Sequence, residues 1–127
     1  MKLVGNLIVA LELEALAERL ILAGKAGLDL KTVMEVVKVA DFRSPLLASN
    51  GENILKRDFS AYFGLRLTLK DANLLQQFSE GLGSPIPVLP VVRQNLTGAV
   101  GLSFGNENAS AVIKALERKA GLEVKGR

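Results

Sequence analysis

Lys2 and Asn6 stand one helical turn apart at the head of a long apolar segment, Leu3 to Leu22, where a fold has little use for a cation and an amide. At ~100° of rotation per residue the pair shares a stripe with Val9, Leu13, Leu16 and Leu20, which should face other protein. The two polar groups are therefore expected to face a cleft. An ammonium in a semi-enclosed site loses hydration, and proton exchange near neutral pH comes within its reach. An amide one turn away could orient a substrate hydroxyl or carboxylate. On spacing alone the plainer reading is the stronger, with Lys2 a solvated N-terminal lysine and Asn6 a local cap. A second polar pair, Lys70 and Asp71, shares the stripe of Leu67, Leu74 and Phe78, and a covered site and a solvated stripe edge fit it equally.

Composition narrows the chemistry. The chain has 127 residues, one domain's worth, and 49% apolar content suffices for a core without metal or disulfide staples. It contains no cysteine, which excludes thiol catalysis, cysteine metal sites and disulfides, and fits a reducing compartment. It also contains no histidine, so acid/base work falls to lysine, carboxylates or Tyr62, and no metal site is expected. The net charge is +3 and the pI about 9.4. Yet Lys31, Lys38, Lys56, Arg57 and Arg66 form no dense run, and only Tyr62 and Phe63 stand together as aromatics, so a nucleic-acid module is not expected. Asn6, Glu12, Glu14, Glu18 and Arg19 break the apolar opening well short of the ~18 residues a membrane span needs. Met1 leads at once into helical sequence without a visible leader, so the expectation is a cytoplasmic protein or a piece of a longer one.

The elements that must position these residues read as helices throughout, an all-α single domain. Lys2 to about Ala23 lacks proline and is rich in leucine, alanine and glutamate, predicting a long helix at the centre or at an interface. Glu18 falls near Leu7 and Leu11 on it and should need a buried partner. Asp29 is a candidate cap for a second helix to about Val39, and Ser44-Pro45 opens a third that ends near Arg57, weakened by the Asn50-Gly51 turn signal. From Leu65 the spacing of Leu67, Leu74, Leu75, Phe78 and Leu82 favours helix over strand. After Pro85 and Pro87 a helix with Pro90 in its first turn runs to about Asn95 or Thr97, Gly98 to Gly105 make a loop, and Asn108 caps a last helix closed by Gly121. Gly98 and Gly101 follow no buried strand, so the chain holds no dinucleotide by a glycine-rich loop of its own.

Taken together, Lys2-Leu3-Val4-Gly5-Asn6, Glu18, Ala26-Gly27-Leu28-Asp29, Asp58-Phe59, Phe63, Lys70-Asp71, Pro87 and Ser110-Ala111-Val112 resemble the β-hydroxyacid dehydrogenases, nearest to their 3-hydroxyisobutyrate dehydrogenase-like members. The resemblance covers nearly the whole chain but only the family's all-helical C-terminal domain, of the 6-phosphogluconate dehydrogenase C-terminal-domain-like fold. The preceding Rossmann domain is absent from residues 1–127. The resemblance implies that Lys2 is the catalytic lysine, exchanging a proton with the substrate hydroxyl, and that Asn6 positions the substrate. It implies that Phe63 and Lys70 contact an NAD or NADP cofactor held mainly by the missing domain, and that Asp71 fixes Lys70 or a helix start. Two departures stand out. Gly5 occupies a position where many relatives carry a second amide, which suggests close packing against the other domain, and Asn108 occupies one where relatives often have aspartate, which alters a cap.

The leading expectation is the helical catalytic and dimerisation domain of an NAD(P)-dependent oxidoreductase that interconverts a small β-hydroxyacid and its semialdehyde or keto form. The intact protein would be a homodimer or higher homo-oligomer, and this piece alone would be inactive. The alternative is a free-standing helical self-association module without catalysis. A third reading is a reductase of another small carbonyl or imine, since fold does not fix function. Arg43 and the Phe42 to Leu47 segment are a positional guess at the pocket wall.

Overall fold

The computed structural model describes residues 1–126, and these form six α-helices in an all-α domain. Helix α1 spans Lys2–Lys25, α2 Leu30–Val39, α3 Pro45–Leu55, α4 Leu65–Leu82, α5 Leu89–Ala99 and α6 Ile113–Ala120. Helix α1 is ~36 Å long at ~1.5 Å per residue and packs against every other helix, so the rest of the domain is laid around it. Leu13, Leu16 and Leu20 are buried along it and meet Met34, Ile54, Leu65, Leu75, Leu96 and Ile113 in one core. Each fully buried side chain of this size contributes roughly 1.5–3 kcal/mol of transfer free energy, which is what holds α1 at the centre. The first buried residue of α1 is Ala10, so its first two turns stand at the rim with Val4 and Ile8 exposed.

The start signals act as expected. Asp29 Oδ2 accepts from the Thr32 N–H at 3.3 Å and the Thr32 hydroxyl at 2.7 Å, and Ser44 Oγ accepts from the Leu47 N–H at 3.0 Å with Pro45 in the first turn. Helix α4 ends at Gly83 in the left-handed conformation (φ 63°), a backbone that favours glycine.

The third helix runs through Asn50-Gly51 as expected, with the Asn50 side chain bonded to the Leu46 carbonyl, the Tyr62 hydroxyl and the Asn108 amide, and with the Met34 thioether packed where a Cβ on Gly51 would lie. Three local expectations are corrected. Gly98 to Gly105 is not an open loop: α5 runs into a π-helical segment, Val100–Phe104, whose Val100, Leu102 and Phe104 pack on the core, and Ser103 (φ 77°) breaks it. The stripe Leu67, Leu74, Phe78 and Leu82 is exposed, and α4 buries Leu65, Thr68, Ala72, Leu75 and Ser79, whose small members admit close neighbours. Glu18 is exposed, and the buried carboxylate of α1 is Glu14 one turn earlier. No helix among the described residues is long and apolar enough to cross a membrane.

Candidate active site

The exposed head of α1 presents Lys2 to solvent and Asn6 half-buried beneath it. Residues four apart on a helix have Cβ atoms ~6 Å apart, so ammonium and amide share one patch. Asn6 Nδ2 donates to Asp71 Oδ2 at 2.8 Å across the α1–α4 contact. The buried Thr68 and Ala72 beside Asp71 seat α4 close to α1, since neither has bulk to hold the helices apart. Asp71 therefore fixes Asn6, rather than Lys70 or a helix start.

Lys70, next to Asp71, points outward and is exposed. Lys2 and Lys70 enter no ion pair among the described residues. Phe63 lies seven residues before Lys70, roughly 10 Å along the α4 axis, and is half-buried against the core. Its N–H donates to Asn108 Oδ1 at 3.2 Å and its carbonyl accepts from the Ala109 N–H at 2.8 Å. The fold thus joins Asn6 to Asp71, with Lys2 one helical turn from Asn6 on α1 and Lys70 beside Asp71 on α4, while Phe63 precedes that helix.

The Phe42 to Leu47 segment does not join them. The Phe42 ring stacks under Arg19, whose guanidinium carbon lies 5.0 Å from its centroid, and Arg19 is roughly 25 Å along α1 from Lys2. A concavity of about 640 Å³ lined by Lys31, Lys38, Glu52, Lys56 and Lys125 also lies away from Lys2, between α2, α3 and the C-terminal tail.

Three functional candidates escape sequence reasoning. Asp71 as the partner of Asn6 is a tertiary contact 65 positions apart, with no local signature. Asn108, expected as a cap, makes no side-chain capping bond and reaches back to the Phe63 segment. Glu14 is buried on α1, with Asn95 Nδ2 donating to both of its oxygens at 2.9 and 3.1 Å. Burial pushes the Glu14 carboxyl up to about 7, the neighbouring Glu18 adds to this, and the Asn95 amide opposes it.

A half-buried aromatic and an exposed ammonium suit one side of a nicotinamide dinucleotide, whose ring offers a flat apolar face and whose phosphates offer charge. A lysine and an amide beyond them suit a small hydroxylated acid.

The family model describing NAD-binding of NADP-dependent 3-hydroxyisobutyrate dehydrogenase matches residues 1–116. The chain belongs to this family of 3-hydroxyisobutyrate dehydrogenase-like proteins. It is 32% identical over 126 residues to 2-(hydroxymethyl)glutarate dehydrogenase of Eubacterium barkeri, covering 98% of this chain and 42% of that protein. It is 34% identical over 112 residues to the cytokine-like nuclear factor N-PAC of Aedes aegypti, covering 88% of this chain and 20% of that protein. Among solved structures, 3-hydroxyisobutyrate dehydrogenase from Salmonella typhimurium superposes with a TM-score of 0.84 at 26% identity, covering 89% of this chain and 40% of that one. The chain thus spans at most about two-fifths of these relatives.

Proposed function

We propose that this chain is the helical catalytic and dimerisation domain of an NAD(P)-dependent dehydrogenase that interconverts a small β-hydroxyacid and its semialdehyde or keto form. The observation that carries the reading is the Asn6–Asp71 bond, which ties the helical turn bearing Lys2 to the one bearing Lys70, in a chain whose family is described as NAD-binding. A bound nicotinamide would supply the hydride acceptor or donor.

Lys2 holds or releases the proton of the substrate hydroxyl at its Nζ, the role open to a lysine in a chain without histidine. Asn6, held through its Nδ2 by Asp71, keeps its Oδ1 available to a substrate hydroxyl. Asp71 is thus a positioning residue. Phe63 covers the apolar face of the cofactor and Lys70 offers charge to its polar part, while an upstream dinucleotide-binding domain makes the remaining contacts. Exposed Val4 and Ile8 on α1 and Leu74 and Phe78 on α4 supply the apolar surface for a homodimer or higher homo-oligomer. A non-catalytic self-association module would use the same faces but has no need of the polar patch.

The test is reduction of NAD⁺ and NADP⁺ by the complete protein, its upstream region included, across a series of small β-hydroxyacids. Turnover of at least one supports the reading, and turnover of none overturns it.

A further inference from the structure

Residues Phe59 to Gly64 lead into α4 without regular structure, and the adjacent aromatics, exposed Tyr62 and half-buried Phe63, sit within them. This segment owes its shape to one side chain. Asn108 is 2% exposed and uses its amide fully. Its Oδ1 accepts from the Tyr62 and Phe63 N–H groups at 3.4 and 3.2 Å, and its Nδ2 donates to Asn50 Oδ1 at 3.2 Å and Ser110 Oγ at 2.9 Å. Asn50 Oδ1 also accepts from the Tyr62 hydroxyl at 2.7 Å. The main chain completes the clamp: the Asn108 N–H donates to the Phe59 carbonyl at 2.9 Å and the Ala109 N–H to the Phe63 carbonyl at 2.8 Å. Gly64 and Asn108 form an isolated antiparallel bridge, and the Leu65 N–H that opens α4 donates to the Glu107 carbonyl at 2.8 Å.

We infer that Asn108 is a positioning residue for the dinucleotide: by accepting the Tyr62 and Phe63 N–H groups it fixes the backbone that presents the Phe63 ring. The inference rests on the reading of Phe63 as a cofactor contact. Two adjacent N–H groups have their side-chain acceptor in one buried oxygen, so its removal leaves both without that partner and frees the ring to move. The acceptor half of the amide carries this role. A carboxylate at the position keeps both acceptances and can accept from the Ser110 hydroxyl, but it loses the donation to Asn50 and sets an oxygen against Asn50 Oδ1.

The experiment measures KM for whichever of NAD⁺ and NADP⁺ the complete protein reduces, with amide hydrogen exchange over the 59–65 segment. Asn108→Ala is expected to raise that KM about tenfold with kcat little changed, the size of effect of orphaning backbone donors. It is also expected to speed exchange at Tyr62 and Phe63. Asn108→Asp should restore both toward wild type, and adding Asn108→Ala to Phe63→Ala should raise KM no further. If Asn108→Ala does not fold, Asn108→Ser, which weakens the acceptor without emptying the site, takes its place. Phe63→Ala raising KM while the Asn108 variants leave it unchanged overturns the inference and spares the reading of Phe63. Phe63→Ala leaving KM unchanged overturns that reading and the inference with it.

Discussion

Asn6 and Asp71, 65 positions apart, share a 2.8 Å hydrogen bond that joins the exposed head of α1 to the middle of α4. The bond uses the Asn6 donor and leaves its carbonyl oxygen out of the pair, and it explains why a carboxylate stands half-buried on a helix whose neighbouring lysine is solvated.

If Asp71 acts through Asn6, the two should be coupled. Asp71→Ala and Asn6→Ala are each expected to lower kcat/KM of the complete protein about tenfold or more, chiefly through substrate KM. The double variant should lose little more than the worse single one, a coupling of about 1–2 kcal/mol. Additive losses would separate the two residues.

Glu14 makes stability depend on pH. Its folded-state pKa of about 7 lies above the ordinary value of 4.5, so the folded chain binds the proton more tightly than the unfolded one. The benefit is complete below about pH 4.5 and is lost as pH rises to about 7, beyond which stability is level in this group. The change is at most about 3 kcal/mol. Glu14→Gln keeps an acceptor for Asn95 and should abolish the slope while stabilising the chain at mildly alkaline pH. Denaturant midpoints across the pH series decide it, and an unchanged slope would place the dependence elsewhere.

Gly51 of α3 lies directly against the Met34 side chain of α2. A Cβ there would overlap the Met34 thioether, so Gly51→Ala should cost about 1–3 kcal/mol despite alanine's better helix propensity. Combined with Met34→Ala it should cost less than the sum of the singles, because the cavity then receives the added methyl. Thermal unfolding of the four proteins measures this.

The C-terminal tail is tied down through Glu117, 7% exposed in its side chain, whose Oε2 accepts from Arg57 Nη1 and from the Val124 N–H, both at 2.6 Å. Arg57 Nη1 also donates to the Val124 carbonyl at 3.0 Å. Glu117→Ala leaves the guanidinium uncompensated and should cost about 2–3 kcal/mol, below the value for a fully buried pair because Arg57 stays partly wet. Faster amide exchange at Val124 should accompany it.

What the sequence disclosed follows from the range of the forces involved. Asp29 and Ser44-Pro45 act on their own backbone, and the helix starts they set were legible within a residue or two. Lys2 and Asn6 were legible as a pair because helical periodicity alone sets their neighbourhood. The covered face of α4 was not, because leucines lie on more than one side of it and the neighbours chose the side with Ala72 and Ser79. Glu14 and Glu18 illustrate the same limit, since one turn of helix separates a buried carboxylate from an exposed one. Asp71 and Asn108 look like a helix carboxylate and a cap, and only the folded chain brings Asn6 and Phe63 to them.

The most direct measurement is the turnover of the complete protein with Lys2 replaced by alanine, alongside its affinity for the dinucleotide and its unfolding temperature. A proton-exchanging Lys2 predicts a ~10²- to 10⁴-fold fall in kcat with cofactor affinity and unfolding temperature unchanged. Near-normal turnover in the Lys2→Ala protein would contradict it.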